Sequence, residues 1–145
     1  MPQQAGFRHR IRVRYSEIDG QKVVFNSRYL EYADVAITEY YRSLGIPPTA
    51  PPGTHTAEFH VAKATIDFKA PIYLDEEIDL CVRTLRVGRT SWTILIEIRG
   101  ADGGDIRATI EEVQVHVDLH TGAAAPLPDW IRGRIARSEG APTLG

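Results

Sequence analysis

Apolar residues recur every third or fourth position along one long stretch of this chain, and every second position along most of the rest. In the first stretch Leu30, Ala33, Ile37, Tyr41 and Leu44 form one stripe, with Glu31, Asp34, Glu39 and Arg42 mostly off it. The spacing predicts a helix over residues 27–44. Asn26 or Ser27 supplies its N-cap, and Gly45 followed by Pro47 and Pro48 stops it. At the usual rise that helix is roughly 27 Å long, enough to cross a small domain.

Before it, residues 8–15 alternate, with Ile11, Val13 and Tyr15 on one face, and predict a first strand. After it, residues 46–56 (I-P-P-T-A-P-P-G-T-H-T) form a proline-rich crossover. From Phe59 the period becomes two. Ala62, Ala64, Ile66 and Phe68 share one face of a strand that ends at Pro71. Residues 78–87 start with Ile78, Leu80 and Val82 in phase and resume out of phase with Leu85 and Val87, the mark of a β-bulge. Trp92, Ile94, Ile96 and Ile98 alternate cleanly, and residues 101–104 (A-D-G-G) supply a hairpin turn. The last strand carries Ile106, Ala108 and Ile110, then Val113, Val115, Val117 and Leu119, with a second slip near Glu111 and Glu112. Two slips in long strands predict a strongly curved sheet.

These elements imply an α+β class: a five-stranded antiparallel curved sheet wrapped around one long central helix. The expectation is a single domain over residues 1–137, with disorder at residues 1–6 and 138–145 and one helical turn around residues 129–135. The sheet has edges, and pairing with a second copy is one way to cover them.

Composition narrows the function only slightly. Seventeen basic against 19 acidic residues give a net charge of −2, so no global field recruits nucleic acid. The lone Cys81 rules out an intrachain disulfide and fits a reducing, cytoplasmic setting. The first ten residues lack the apolar core of a signal peptide, and no run approaches 18 apolar residues, so no membrane partner is expected.

The candidate chemistry lies between the first strand and the helix. Asp19 sits seven positions before Asn26 in a short polar loop that also carries Glu17. A helix N-terminus offers unpaired N–H groups and the positive end of the macrodipole, suited to a carbonyl oxygen that becomes negative in a transition state. A carboxylate beside such an oxyanion hole can hydrolyse an activated acyl group, above all a thioester, whose thiolate leaves without a strong general acid. An Asp in a glycine-containing loop is most often a turn former, and the pattern alone does not decide for catalysis. Glu17 is expected to form a structural salt bridge with an arginine of the first strand. Asp34 lies off the main stripe and reads either as a solvated helix residue or as a group that meets a polar atom of an acyl chain.

The motifs Y-x-E-x-D-x-x-x-V-V-F-N-x-x-Y (from Tyr15), F-K-A-P-I-Y-L-D-E-E-I (from Phe68), G-R-T-S-W (from Gly88) and E-x-x-x-V-x-V-D-x-x-T-G-A-A-A-P-L-P (from Glu111) resemble the hotdog-fold acyl-CoA thioesterases of the 4-hydroxybenzoyl-CoA thioesterase family. The likeness runs from about Arg8 to Arg134. It implies that Asp19 is the catalytic carboxylate and that the main-chain amide of Asn26 polarises the thioester carbonyl. It further implies a homodimer or dimer of dimers with the site at the subunit interface, lined by Thr65 and its neighbours from the partner. Arg89, Thr90 and Ser91 match a segment near the coenzyme A nucleotide, where a guanidinium and two hydroxyls suit phosphate. A plain β-turn is the alternative for those three residues. Val24, Phe25, Tyr29 and His60 are candidates to line the substrate pocket, as are Phe59 and Trp92, although aromatics are usually core.

One position departs from the family. Glycine usually follows the catalytic Asp by three residues, and here that place holds Lys22. A need for positive φ would make lysine costly there. Lys22 could instead pair with Asp19 or reach substrate phosphates. His116 and His120 are four apart in a strand or at its end, a spacing with no bite for metal, so neither metal nor cofactor beyond the substrate's own coenzyme A is expected. The functional alternatives are a non-catalytic hotdog protein that binds acyl-CoA or another ligand, favoured by Lys22, and a hydratase. The hydratase is disfavoured because no His lies between Asp19 and His55.

Overall fold

Alternation and helical spacing produce the expected elements, with boundaries set by turns. The computed structural model describes residues 6–47 and 57–139; the expectations for residues 1–5, 48–56 and 140–145 lie outside the described residues. The strands are β1 (Phe7–Arg12), β2 (Glu58–Phe68), β3 (Glu77–Val87), β4 (Ser91–Gly100) and β5 (Ile106–Val117). The helices are α1 (Arg28–Ser43) and α2 (Asp129–Glu139). The strands form one antiparallel sheet in the order β1-β3-β4-β5-β2, which leaves β1 and β2 at the edges. Five antiparallel strands and one main helix bear out the α+β class. Among the described residues no helix is long and apolar enough to cross a membrane.

The chain divides into two compact units. The first gathers the residues up to Tyr40 with Ile66–Val82 and Ile96–Ile110; the second gathers Tyr41–Thr65, Arg83–Leu95 and everything from Glu111 onward.

In the first unit β1 pairs antiparallel with β3 in a register running from Phe7 opposite Val82 to Arg12 opposite Glu77. β1 is shorter than the alternation suggested. It ends at Arg12, and Tyr15 belongs to a 3-10 turn (Tyr15–Glu17) that leaves its ring exposed. The buried face of α1 is also turned from the expected stripe. Tyr29, Tyr32, Ala33, Ala36, Ile37 and Tyr40 are buried, whereas Leu30 is 46% exposed. Tyrosine explains the difference, because its ring is apolar and its hydroxyl can be satisfied inside. Tyr29 meets Phe68 edge-on at 4.9 Å, and Tyr40 packs against Phe7 at 5.8 Å. Asp79, buried on β3, accepts from Arg10 at 2.8 Å and from the Asp102 amide at 3.1 Å, which ties β1 and β3 to the β4–β5 turn.

In the second unit Trp92 is fully buried, so it is core rather than pocket lining. Its ring stacks on Tyr41 at 5.1 Å, and its N–H donates to Thr84 Oγ1 at 2.8 Å. Phe59 meets both rings edge-on. The phase slips fall later than expected. On β3 burial continues through Thr84 before shifting to Val87. On β5 there is no slip at Glu111–Glu112: the buried side continues through Glu112 and Gln114, which hydrogen-bond to each other, and shifts only before Val117. Tyr41 donates to Gln114, giving this polar row a partner. A pattern read from apolar residues alone could not see buried Glu and Gln.

α2 runs eleven residues rather than one turn and takes in Ser138 and Glu139, which were expected to be disordered. Ile131 and Ile135 anchor it in the core, and Arg134 donates to the Leu44 carbonyl at 2.8 Å, satisfying an orphan acceptor at the C-terminal end of α1. Gly45 has a φ of +78°, and a Cβ there would lie 2.0 Å from the Arg134 guanidinium. Only glycine closes the helix in this way.

The rotated face of α1 sets up a direct comparison. Tyr40→Ala should destabilise the protein by about 3–5 kcal/mol, as truncation of a large buried aromatic does, and Leu30→Ala by less than about 1 kcal/mol, measured by urea unfolding.

Candidate functional site

Residues 18–24 form a miniature hairpin. Ile18 bridges Val24, the Asp19 amide donates to the Val23 carbonyl at 2.9 Å, and the Lys22 amide donates to the Asp19 carbonyl at 3.0 Å. Asp19 Oδ1 accepts the Gln21 amide at 2.8 Å, an Asx turn that orients the half-buried carboxylate over its own loop. A second segment holds the hairpin from outside. Val24 donates to the Ile72 carbonyl at 2.8 Å, Val23 bridges Tyr73, and Leu74 donates to the Lys22 carbonyl at 3.3 Å. Arg107 locks that segment by bonding the Pro71 carbonyl and the Glu76 carboxylate.

Lys22 has a φ of +65°, the left-handed conformation that glycine adopts freely and lysine does not. Among the described residues Lys22 makes no ion pair, so it does not neutralise Asp19.

After the hairpin the chain turns into α1. The Arg28 and Tyr29 amides donate to the carbonyls of Phe25 and Asn26. The main-chain amides of Asn26 and Ser27 meet no acceptor among the described residues, and both are exposed residues just before α1. Of the expected pocket residues, Val24 and Tyr29 are buried, while Phe25 is 51% exposed. Asp34 lies exposed on α1.

Glu17 makes the expected salt bridge, though with Arg14 in the turn rather than with a residue of β1. It is 7% exposed. Its carboxylate accepts from the Arg14 amide at 2.8 Å, from Arg14 Nε at 2.9 Å and from the Tyr32 hydroxyl at 2.8 Å. Burial alone would raise its pKa, but the Arg14 amide, the Tyr32 hydroxyl and the Arg14 guanidinium outweigh burial and hold it below the ordinary value. Burial and the bond to Glu17 push the Tyr32 phenol well above its ordinary range, so it remains a donor at working pH. Sequence reasoning missed Tyr32; its only signal was a tyrosine one turn into the helix with an acid upstream.

Beside the turn lies an open hollow of about 540 Å³ lined by Arg12, Val13, Arg14, Tyr15, Leu74 and Asp75. Its arginines already face Asp75, Glu77 and Glu17.

The other expected residues belong to the second unit. Arg89 is exposed, and its side chain has no partner among the described residues. The turn beneath it is tightly held: Gly88 donates to Ser91, His116 to the Thr90 carbonyl, Leu127 to the Arg89 carbonyl, and Arg132 to the carbonyls of Gly88 and Arg89. His60 and Thr65 lie exposed on β2, with His60 3.6 Å from Glu58. The structure thus gathers Asp19, Val24, Phe25, Asn26 and Tyr29 in the first unit and leaves His60, Thr65, Arg89, Thr90 and Ser91 in the second. Among the described residues no group of three or more His, Cys, Asp or Glu could hold a metal ion.

Two measurements follow from this loop. Lys22→Gly should stabilise the protein by up to about 1 kcal/mol, and Lys22→Val, β-branched at positive φ, should destabilise it by a similar amount in urea melts. The depressed pKa of Glu17 means that its ionised form adds stability above 4.5, and this is lost as pH falls through the lower folded value. Between 4.5 and that lower value wild-type stability should therefore fall more steeply than that of Glu17→Gln.

The model of the Thioesterase-like superfamily matches residues 13–135. A thioesterase from Thermus thermophilus, solved with coenzyme A and Zn, is 32% identical, with 93% of this chain and 95% of that one covered and a TM-score of 0.79. A 1,4-dihydroxy-2-naphthoyl-CoA thioesterase from Synechocystis is 20% identical over 91% and 96% of the two chains, with a TM-score of 0.81. A gentisyl-coenzyme A thioesterase is 22% identical over 90% and 100%, with a TM-score of 0.78. No curated protein matches the chain. The last two likenesses speak to the fold and bear out the hotdog assignment. With the family model spanning the hairpin, α1, strands β2 to β5 and most of α2, the chain belongs to the Thioesterase-like superfamily, the class of thioester hydrolases to which its motifs pointed.

Proposed function

We propose that this protein hydrolyses an acyl-CoA thioester to a carboxylic acid and free coenzyme A, with Asp19 as the catalytic carboxylate and the Asn26 amide as oxyanion donor. The observation that carries this reading is the pairing of a clamped carboxylate with unused main-chain amides a few residues away at the start of α1. The thioester carbonyl oxygen sits at those amides. Asp19 attacks the carbonyl carbon, or takes a proton from a water that does, and negative charge develops on the carbonyl oxygen, where the amides and the helix dipole stabilise it. Collapse of that adduct expels the coenzyme A thiolate. Where Asp19 attacks directly, water then cleaves the resulting anhydride. Every step uses groups of this chain and water.

The working unit in this reading is a homodimer or dimer of dimers. β2 is a long edge strand on which Val61 and Phe68 are uncovered, and edges of this kind pair readily with a second copy. The partner then brings Thr65 and His60 toward the acyl group, while the exposed Arg89 with Thr90 and Ser91 receives the nucleotide phosphates. The lone Cys81 suits a cytoplasmic protein. A second reading, an acyl-CoA binder without turnover, draws on the engagement of Asp19 Oδ1 by its own loop and on the strained Lys22.

Thiol release across a panel of aromatic, short-chain and long-chain acyl-CoAs separates the two. Wild type should turn over at least one member, and Asp19→Asn should lower kcat at least about 100-fold with the fold intact by circular dichroism. Turnover by Asp19→Asn at the wild-type rate would remove Asp19 from the mechanism.

A further inference from the structure

Glu17 has no part in the chemistry above, yet it is the buried acid of the loop that carries Asp19. We infer that Glu17 and Tyr32 are positioning residues that fix the Asp19 hairpin against α1, so that the carboxylate and the helix-start amides keep one relative placement. The inference rests on the catalytic reading of Asp19 and Asn26.

Residue 17 holds both arms of the hairpin. Its side chain reaches across to α1, where the Tyr32 hydroxyl donates to Oε1 at 2.8 Å. Its carbonyl accepts the Phe25 amide at 3.0 Å, one residue before Asn26. Between these ties Ile18 bridges Val24, with Asp19 next along one arm. Asp19 therefore lies two residues from the anchor on one side, and Asn26 lies one residue past it on the other. Tyr32 is 3% exposed and sits on the buried face of α1, so its hydroxyl is held by packing and needs an internal acceptor. The Arg14 amide and guanidinium complete the acceptor capacity of the carboxylate and fix its rotamer. A reacting geometry tolerates little displacement: a shift of about 1 Å can lower a rate about 100-fold.

The plain alternative is a satisfied buried carboxylate that only stabilises the fold. Asp79 is the internal control, since it is equally buried in the same unit and similarly held, by Arg10 and the Asp102 amide, with no link to the hairpin. Four variants decide the matter: Tyr32→Phe, Asp79→Asn, Asp19→Asn, and Tyr32→Phe combined with Asp19→Asn. They are assayed for thiol release and melting temperature, and the amides of Asp19 and Phe25 are followed by native-state hydrogen exchange. Tyr32→Phe should lower kcat by about 10- to 100-fold with KM little changed, and should cut the exchange protection of the Asp19 and Phe25 amides while leaving β4 protected. In the Asp19→Asn background the same change should alter the residual rate less than about twofold, because the two groups act as a unit. Asp79→Asn should lower the melting temperature and keep kcat.

An equal fractional loss from Tyr32→Phe in both backgrounds would overturn the proposal. So would unchanged exchange at Asp19 and Phe25, or a kcat loss in Asp79→Asn matching that in Tyr32→Phe. A wild-type rate in Asp19→Asn would instead refute the catalytic reading, and with it any role of the pair in turnover, while the exchange data would still report whether the clamp on the hairpin exists.

Discussion

The candidate site depends on one constraint: a seven-residue hairpin too short to stabilise itself must be held by chain outside it. Isolated two-stranded pieces are marginal in water, and residues 18–24 have a single bridge of their own between Ile18 and Val24. The missing support comes from the carbonyls of Ile72 and Glu17 and from the bridge to Tyr73. Arg107 then makes the 71–76 segment rigid by joining a carbonyl and a carboxylate within it. A carboxylate on a flexible loop would sample many placements. The loop of Asp19 is held by main-chain bonds on both sides.

That arrangement also explains why polar residues are buried where a simple pattern expects apolar ones. Glu17, Asp79, Glu112 and Gln114 are buried, and each has partners that satisfy it. Buried polar groups are costly unless hydrogen-bonded, but once satisfied they select one arrangement over near neighbours. Here they join elements distant in sequence: Glu17 to α1, Asp79 to the β4–β5 turn, and Gln114 to Tyr41.

Much of this was legible in the sequence, and the failures have physical causes. The clean alternation of β4 and the glycine stop after α1 survived without change. So did the suspicion about Lys22, because an αL position demands the same conformation whatever residue fills it. The helix face was misjudged because Leu30 counted as core and Tyr29, Tyr32 and Tyr40 did not, although a tyrosine whose hydroxyl finds an acceptor buries as well as leucine. The phase of β5 was misplaced because Glu112 and Gln114 occupy inward positions. The length of α2 was missed because Gly133 and the arginines at 132, 134 and 137 dilute its stripe, leaving Ile131 and Ile135 as its buried pair. For the candidate site, spacing and resemblance were enough to single out Asp19 and Asn26 as candidates. The clamp on them could not, since Ile72 and Tyr32 meet the loop only through tertiary structure.

The junction of Gly45 with Arg134 bears on how this chain can vary. The guanidinium fills the volume that any Cβ at position 45 would need, and it also satisfies the Leu44 carbonyl where α1 ends. A bulkier residue at 45 would evict the arginine and strand an acceptor, and a shorter residue at 134 would leave the glycine facing a gap. The two positions, far apart in sequence, are therefore coupled: any residue other than glycine at 45 carries the strain of a left-handed backbone and also displaces the guanidinium that closes the end of α1.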